Sequence, residues 1–332
     1  MNKVLSLFSQ EWFKNNNLDI PEELEVHFVK ALNENEIIAA CQKMDYLFFP
    51  SSSPLITARV IQNVPSIKMI QSAGIGFDKV DIKAAKLLKI PVCNSPGDNA
   101  GTVAEFTIAQ LITLQRRFFV ADREIKAGNY QATRELLINS GLKEMCDIRL
   151  GLVGFGTIGK RVARLSRACG SRVSYYDPFR ADEKTETEYQ VDYLPLKKLL
   201  SSCDAITLHL PLNDQTYGII GQNEIDLMPA GSLLLNTSRG ELVDQNALAR
   251  ALENGHLYGA AMDTFDPEPL PAGHPLLNLS VEARDRLLMT PHTAGITRGS
   301  LKRLITAALD NIVRAMGGEK PKNIVNNVGG VR

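Results

Sequence analysis

The sequence predicts an α/β protein with two doubly wound parallel sheets, and three observations predict this fold. Short apolar runs alternate with helical patterns before residue 100. A glycine-rich turn follows another apolar run in mid-chain, and the strand-helix alternation resumes after it. Because 332 residues exceed the usual size of one hydrophobic core, two domains are expected.

The predicted strands are short apolar runs bounded by polar or turn-forming residues. Those before residue 100 are 4–8, 26–28, 46–49, 68–71 and 91–94. Those after the glycine-rich turn are 172–176, 205–209, 232–236, 259–262 and 286–289. Each set, together with the helical patterns between its members, is enough for one parallel sheet.

The glycine-rich turn lies between the apolar run 148–153 and a helical pattern. Its residues are Gly154, Phe155, Gly156, Thr157, Ile158 and Gly159. Gly154 permits a tight turn, Gly156 permits close approach of phosphates to the backbone, and Gly159 permits close packing of the helix on the sheet. Backbone amides and a helix N-terminus then face a pyrophosphate, so the motif predicts a dinucleotide site.

An acidic residue, Asp177, follows the next predicted strand, eighteen residues after Gly159. A carboxylate at this position can accept hydrogen bonds from both hydroxyls of an adenosine ribose, and it would repel a 2'-phosphate. The pattern therefore favours NAD as the cofactor. Arg180 is a nearby cation that leaves NADP open.

Composition indicates which partners and which compartment to expect. Lysine plus arginine and aspartate plus glutamate both total 37, which gives no reason to expect nucleic acid or an anionic membrane as a partner. No signal sequence and no long uncharged apolar stretch is visible, so a cytoplasmic protein is expected.

No spacing of potential ligands suggests a metal site. Reduced, buried thiols are expected for the isolated cysteines Cys41, Cys93, Cys146, Cys169 and Cys203.

Three further segments define the expected domain organisation. Thr102 and Glu105 have capping-box spacing before a long apolar helix that would join the two halves. The charged stretch 180–188 has the character of a solvated loop. The helical pattern 301–316 is expected to cross back and complete the N-terminal domain. One domain would then comprise residues 1–100 and 296–332, and the other residues 101–295.

Candidate catalytic side chains follow predicted strand ends in the second half of the chain: Arg239, Glu268 and His292. Loops at the carboxyl ends of parallel strands form the ligand crevice. A histidine can donate a proton near neutral pH, and a nearby carboxylate can orient the imidazole and favour its protonated form. A guanidinium can bind a carboxylate with two parallel hydrogen bonds. Each residue alone also has an ordinary structural explanation, because sequence separation does not establish contact.

Many ordered segments resemble one family, the D-isomer-specific 2-hydroxyacid dehydrogenases. Besides the glycine motif, they are 72–78, 94–97, 103–105, 209–212, 236–244, 263–265, 267–269 and 291–294. The resemblance covers nearly the whole chain. It implies an NAD-dependent oxidoreductase that interconverts a 2-keto acid and a D-2-hydroxy acid, such as hydroxypyruvate, glyoxylate or a phosphoglycerate-like compound. It also implies a Rossmann cofactor domain inserted into a discontinuous, flavodoxin-like substrate domain, and a homodimer built on the cofactor domains.

The resemblance also assigns residue roles. It makes His292 the acid-base residue, Glu268 its partner and Arg239 the clamp on the substrate's carboxylate, with the amides of Ile75 and Gly76 on the other side. Further implied cofactor contacts are Thr102, Leu210, Pro211, Thr216, Thr237, Arg239, Asp263, His292 and Ala294. The Thr102 hydroxyl could instead cap its helix.

Other functions of the same fold remain as alternatives. Formate dehydrogenases carry glutamine at the position of Glu268 and asparagine near Arg117, and phosphite dehydrogenases carry lysine where Ile75 stands, so these residues disfavour both. NADH-sensing corepressors share the architecture and can retain the three candidate residues.

Substrate size is expected to depend on residues 49–54 and on the loops around Ile75 and Leu270. The serines at 51–53 could bind a polar tail or form a turn, and the turn is favoured.

Overall fold

The computed structural model describes residues 2–31, 33–50, 53–97 and 99–330. The chain folds into two compact units, one of Met1–Asn99 with Ile296–Arg332 and the other of Ala100–Gly295. Each unit is built on a parallel sheet, so the predicted fold class is confirmed. Ser51 and Ser52, which the sequence favoured as part of a turn, lie outside the described residues.

The strands in chain order are β1 (Lys3–Ser6), β2 (Glu25–Phe28), β3 (Tyr46–Phe49), β4 (Met69–Ser72), β5 (Val92–Cys93), β6 (Arg149–Val153), β7 (Arg172–Tyr176), β8 (Val191–Tyr193), β9 (Ala205–Leu208), β10 (Ser232–Asn236), β11 (Leu257–Met262) and β12 (Leu287–Met289). The helices are α1 (Gln10–Asn15), α2 (Glu34–Ala40), α3 (Ala58–Gln62), α4 (Ile82–Leu87), α5 (Ala100–Gln115), α6 (Phe118–Lys126), α7 (Tyr130–Asn139), α8 (Thr157–Ala168), α9 (Glu183–Tyr189), α10 (Leu196–Ser202), α11 (Gln222–Leu227), α12 (Gln245–Glu253), α13 (Val281–Arg284) and α14 (Arg298–Met316).

The first unit has a five-stranded parallel sheet in the order β2-β1-β3-β4-β5, which is the flavodoxin order. Helix α14 completes its core, since Ile305, Leu309 and Ile312 are buried with Val4 and Phe48 of the sheet. The helix starts three residues earlier than the pattern predicts because the Thr297 hydroxyl caps it. Among the described residues, neither α14 nor any other helix is long and apolar enough to cross a membrane.

The second unit has a seven-stranded parallel sheet in the order β12-β11-β10-β9-β6-β7-β8. The chain runs outward in one direction from β6 to β8 and in the other from β9 to β12. Strands β6 and β9 are therefore neighbours at the point where the order reverses, which is where ligands bind in Rossmann sheets. Helix α5 packs on this sheet through Ala104, Ile108 and Leu111.

The prediction of a loop over residues 180–188 is wrong. Helix α9 occupies most of this stretch, and it begins where the Asp182 side chain accepts a hydrogen bond from the Thr185 amide at 2.7 Å. Strand β8 follows, which the sequence analysis missed. Helix α9 buries none of its residues, so no apolar periodicity marks it; its cap is the stronger local signal.

The expectation of buried thiols holds for three cysteines and is wrong for two. Burial raises the pKa of Cys41 and Cys93 to about 12 and that of Cys203 to about 11. Cys146 and Cys169 are exposed. Cys146 lies in a short 3₁₀ turn before β6, and Cys169 directly follows α8. All five are free thiols, and the described residues contain no cluster of side chains able to bind a metal.

Candidate active site

The loops after β10, β11 and β12 bring the three candidate catalytic residues to one edge of the second sheet. These strands are neighbours, and Arg239, Glu268 and His292 each follow one of them. His292 Nδ1 and Glu268 Oε2 are 2.9 Å apart. Both side chains are about one-third exposed, at 36% and 34%. The two residues therefore form a hydrogen-bonded pair that solvent can reach.

The Glu268 carboxylate is fixed on both sides. Its Oε1 accepts a hydrogen bond from the Phe265 amide at 2.8 Å, and its Oε2 faces His292. Burial acts to raise the pKa of Glu268, but the hydrogen bond to His292 and the nearby positive charges, including Arg239, lower that pKa overall. Glu268 is therefore an anion at neutral pH, placed to stabilise a protonated imidazole.

Asp263 holds the loop that carries His292. Its Oδ1 accepts hydrogen bonds from the Thr293 amide at 2.9 Å and the Thr290 hydroxyl at 2.6 Å, and its Oδ2 accepts one from the Ala294 amide at 2.8 Å. The His292 amide donates to the Asp263 carbonyl at 2.7 Å, and His292 itself has a φ of 55°. This left-handed conformation is strained for a histidine, so the surrounding bonds are needed to maintain it.

The Arg239 loop is organised by Asn236, which is fully buried at the end of β10. The Asn236 side chain donates to the Arg239 carbonyl at 2.7 Å and accepts from the Ser238 amide at 2.9 Å. Gly240 packs directly on the Phe265 backbone, where an added Cβ would lie 2.1 Å from a carbonyl carbon. The Arg239 side chain also holds the loop, since its Nη1 donates to the Ser238 carbonyl at 2.8 Å. The positive charge of Arg239 contributes to the lowered pKa of Glu268.

The glycine motif has the geometry that its residue types predict. Gly154 has a φ of 109°, and a Cβ there would lie 2.6 Å from the His209 carbonyl. A Cβ on Gly159 would lie 2.3 Å from the Gly154 oxygen, whereas one on Gly156 would meet nothing within 4 Å. Within the described ranges, the amides of Gly156, Thr157 and Ile158 donate to no acceptor. These residues fit a dinucleotide pyrophosphate.

Asp177 is held in place beside this motif. Its Oδ2 accepts from the Phe155 amide at 2.8 Å, and its Oδ1 accepts from the Phe179 amide at 2.9 Å. Each oxygen keeps a lone pair for a ribose hydroxyl. The Phe155 amide is therefore engaged by Asp177. The Phe155 ring stacks on the Tyr175 ring with 4.2 Å between their centroids, so Phe155 stabilises the motif by packing inside the unit.

The remaining cofactor candidates of the second unit lie around the same sheet edge. The Thr216 hydroxyl donates to the Pro211 carbonyl at 2.7 Å, which closes the loop after the buried Leu210. Thr237 lies 3.2 Å from the Thr107 hydroxyl, oxygen to oxygen.

The predicted capping box at Thr102 is wrong. Helix α5 already begins at Ala100, so Thr102 lies inside its first turn and cannot be the N-cap residue. The competing role that the sequence left open for Thr102 is thereby removed.

Ile75 and Gly76 follow β4 in the first unit. The Asn94 side chain donates to the Ile75 carbonyl at 2.7 Å, and the Ser72 hydroxyl donates to the Gly76 carbonyl at 2.6 Å. Both carbonyls are therefore engaged. The two amides find no acceptor in the part of the chain that the structure describes, so they can bind an anion.

Sequence reasoning missed the residues that hold these loops. Besides Ser72, Asn94, Asn236 and Thr290, they include His274, which is buried and whose Nδ1 accepts from the Leu276 amide at 3.3 Å. Its Nε2 lies 3.2 Å from the Asp266 carbonyl, within the loop that carries Glu268. Polar residues at strand ends were a visible signal for Ser72, Asn94, Asn236 and Thr290, but no local pattern marks His274.

Comparison with known proteins decides the family. The model of the D-isomer specific 2-hydroxyacid dehydrogenase NAD-binding domain matches residues 108–294. The glyoxylate reductase of Korarchaeum cryptofilum is 34% identical over 319 residues, which cover 93% of this chain and 94% of that protein. The chain belongs to the D-isomer-specific 2-hydroxyacid dehydrogenases. It is an NAD-dependent oxidoreductase, and the predicted family, enzyme class and cofactor are confirmed.

Other members extend the same comparison. The hydroxypyruvate reductase of Thermotoga maritima is 32% identical over 296 residues, which cover 89% of this dehydrogenase and 92% of the relative. The solved structure of the TT0316 protein from Thermus thermophilus is 31% identical and superimposes with a TM-score of 0.81, covering 97% of this chain and 99% of that one. The similarity therefore extends across both units.

Proposed function

We propose that this dehydrogenase reduces small 2-keto acids of the glyoxylate and hydroxypyruvate type to D-2-hydroxy acids with NADH. The observation that carries the proposal is the His292–Glu268 hydrogen bond at strand ends, with Arg239 on the adjacent strand end. Relatives with the names glyoxylate reductase and hydroxypyruvate reductase support this substrate class.

In the proposed mechanism, Arg239 binds the substrate's carboxylate and carbonyl oxygens, and the amides of Ile75 and Gly76 bind the other side of the carboxylate. NADH, when bound, supplies the hydride. Protonated His292 donates its Nε2 proton to the developing alkoxide while Glu268 stabilises the imidazolium through Nδ1. In the oxidation direction, neutral His292 accepts the hydroxyl proton.

We further propose how the chain holds NAD. The unbonded amides of Gly156, Thr157 and Ile158 bind the pyrophosphate, and Asp177 binds the adenosine ribose. The remaining proposed contacts lie along the adenosine and nicotinamide portions: Thr102, Leu210, Pro211, Thr216, Thr237, Asp263, His292 and Ala294.

The direct test measures NADH oxidation with glyoxylate, hydroxypyruvate, pyruvate and 2-ketoisocaproate, and NAD reduction with formate and phosphite. We expect turnover with the smaller keto acids and none with formate or phosphite. Absence of activity on every keto acid, with NADH binding intact, would contradict the proposal and favour an NADH-sensing role.

Replacement of Glu268 by glutamine tests the role of the carboxylate. The pKa of Glu268 is lowered from its ordinary value of 4.5, so the carboxylate stays ionised at neutral pH and down to pH values below 4.5. Its support for an imidazolium is lost only as the pH falls through this lowered pKa. Removing that negative charge makes protonated His292 less favourable. Keto-acid turnover at neutral pH should therefore fall by about tenfold, as for the loss of one charge-assisted hydrogen bond. Glu25→Gln is the matched control, since Glu25 pairs with His27 at 2.8 Å.

We also propose that the chain forms a homodimer through the second unit. Helices α6 and α7 expose large apolar side chains: Phe118, Ile125, Tyr130, Leu136 and Ile138. Such side chains close together in sequence favour a protein partner, here a second copy. Light scattering after size exclusion should give a dimer, and Leu136→Asp with Ile138→Asp should give a monomer. Leu87→Asp, at an 84% exposed leucine of α4, should leave the dimer intact.

A further inference from the structure

Arg180 and Glu186 form a two-point ion pair beside the proposed ribose site. Arg180 Nε donates to Glu186 Oε1 at 2.8 Å, and Arg180 Nη2 donates to Oε2 at 2.9 Å. The guanidinium also lies over the Tyr193 ring, 5.2 Å from its centroid. Two parallel bonds and a ring contact together fix the direction in which the guanidinium points.

Glu186 is itself held by the interior of the second unit. Its Oε1 accepts a hydrogen bond from the Tyr175 hydroxyl at 2.7 Å, and Tyr175 is fully buried against Phe155 of the glycine motif. The Glu186 side chain is 12% exposed, whereas that of Arg180 is 62% exposed. The hydrogen bonds from Arg180 and then Tyr175 lower the pKa of Glu186 to about 2, so it is ionised at neutral pH. The anion is therefore the fixed partner, and it determines where the cation lies.

The position of Arg180 gives this pair a functional meaning. Arg180 is three residues after Asp177 and directly follows Phe179, whose amide binds the Asp177 carboxylate at 2.9 Å. An arginine in the turn after this strand is the type of residue that accommodates a ribose 2'-phosphate. In this chain Glu186 neutralises the charge of Arg180. The Nε and Nη2 donors of the guanidinium are already bonded to Glu186.

We propose that Glu186 is a cofactor-selectivity residue, which holds Arg180 in an ion pair and so withholds it from a ribose 2'-phosphate. The inference rests on the proposed function in one respect, namely that Asp177 binds the adenosine ribose. Discrimination against NADP(H) then has two parts. Asp177 repels the phosphate, and Glu186 prevents the adjacent arginine from attracting it.

The test measures dissociation constants of NADPH and NADH from the change in nicotinamide fluorescence, without substrate. Four proteins are compared: the wild type, Asp177→Asn, Asp177→Asn with Glu186→Gln, and that double variant with Arg180→Gln. The Asp177→Asn background removes the direct repulsion, so that the contribution of Arg180 becomes measurable. Glutamine keeps an acceptor for the Tyr175 hydroxyl but loses the charge that binds Arg180.

We expect Glu186→Gln to tighten NADPH binding about tenfold in the Asp177→Asn background, as for one charge-assisted hydrogen bond gained. NADH binding should change less than about twofold, and Arg180→Gln should cancel the gain. Glu186→Ala is a second route to the same result if the glutamine variant does not fold. An unchanged NADPH constant in the folded Glu186 variants, or a gain that survives Arg180→Gln, overturns the inference. Failure of the wild type to bind NADH would instead overturn the proposed NAD contacts.

Discussion

Replacement of His292 by alanine is expected to reduce keto-acid turnover by about 10²- to 10⁴-fold, the range that a positioned acid-base residue contributes. The reason is that the variant retains the Glu268 anion and the Arg239 cation but has no group to donate a proton to the alkoxide. NADH binding should largely persist, because His292 supplies only one of the proposed cofactor contacts and the amides of the glycine motif belong to a different loop. Steady-state kinetics and NADH fluorescence titration measure the two effects separately.

The chain offers a matched control for this variant. His27 also pairs with a glutamate, Glu25, at 2.8 Å, but this pair lies on β2 at the edge of the first sheet. His27→Ala removes the same kind of hydrogen bond and should leave turnover unchanged. If His292→Ala retained full turnover, the acid-base assignment would be wrong.

The sequence predicted the sheets well because buried parallel strands are continuous apolar runs. Residues 46–49, 172–176 and 232–236 match strands β3, β7 and β10 in both bounds. Prediction failed at α9, which has no buried face, and at the start of α5, which lies two residues before Thr102. In both cases the helix boundary depends on a helix end or on tertiary packing, and the apolar periodicity of the sequence detects neither.

The candidate site could be predicted only in part. The side chains at strand ends were visible, because the carboxyl edge of a parallel sheet collects loops. The resemblance paired Glu268 with His292, but spacing alone could not predict their hydrogen bond, since 24 residues separate them and β12 lies between. The same holds for Asp263, whose carboxylate bonds to amides thirty residues later. Such contacts depend on strand order, which local sequence does not encode.

Replacement of Arg239 by lysine is expected to lower kcat/KM for the keto acid by about 10- to 100-fold, and replacement by alanine by more than about 100-fold. Lysine keeps the positive charge but cannot form two parallel hydrogen bonds to a carboxylate, each worth about 1.5–3 kcal/mol when charged. Asn236 bonds to the Arg239 backbone carbonyl, so both variants keep that contact. The alanine variant also loses the bond from Arg239 Nη1 to the Ser238 carbonyl, which lysine can replace.

The division of the Arg239 effect between KM and kcat tests what the guanidinium binds. A contact to the substrate carboxylate alone persists unchanged through the reaction, so its loss raises KM and leaves kcat nearly constant. A contact to the carbonyl oxygen strengthens as that oxygen becomes an alkoxide, so its loss also lowers kcat. The proposed double role predicts both changes. Arg250→Ala is the control, since Arg250 lies on α12 and bonds to Gln222, and it should change neither constant. Wild-type kinetics in Arg239→Lys would show that the two-point geometry is not used.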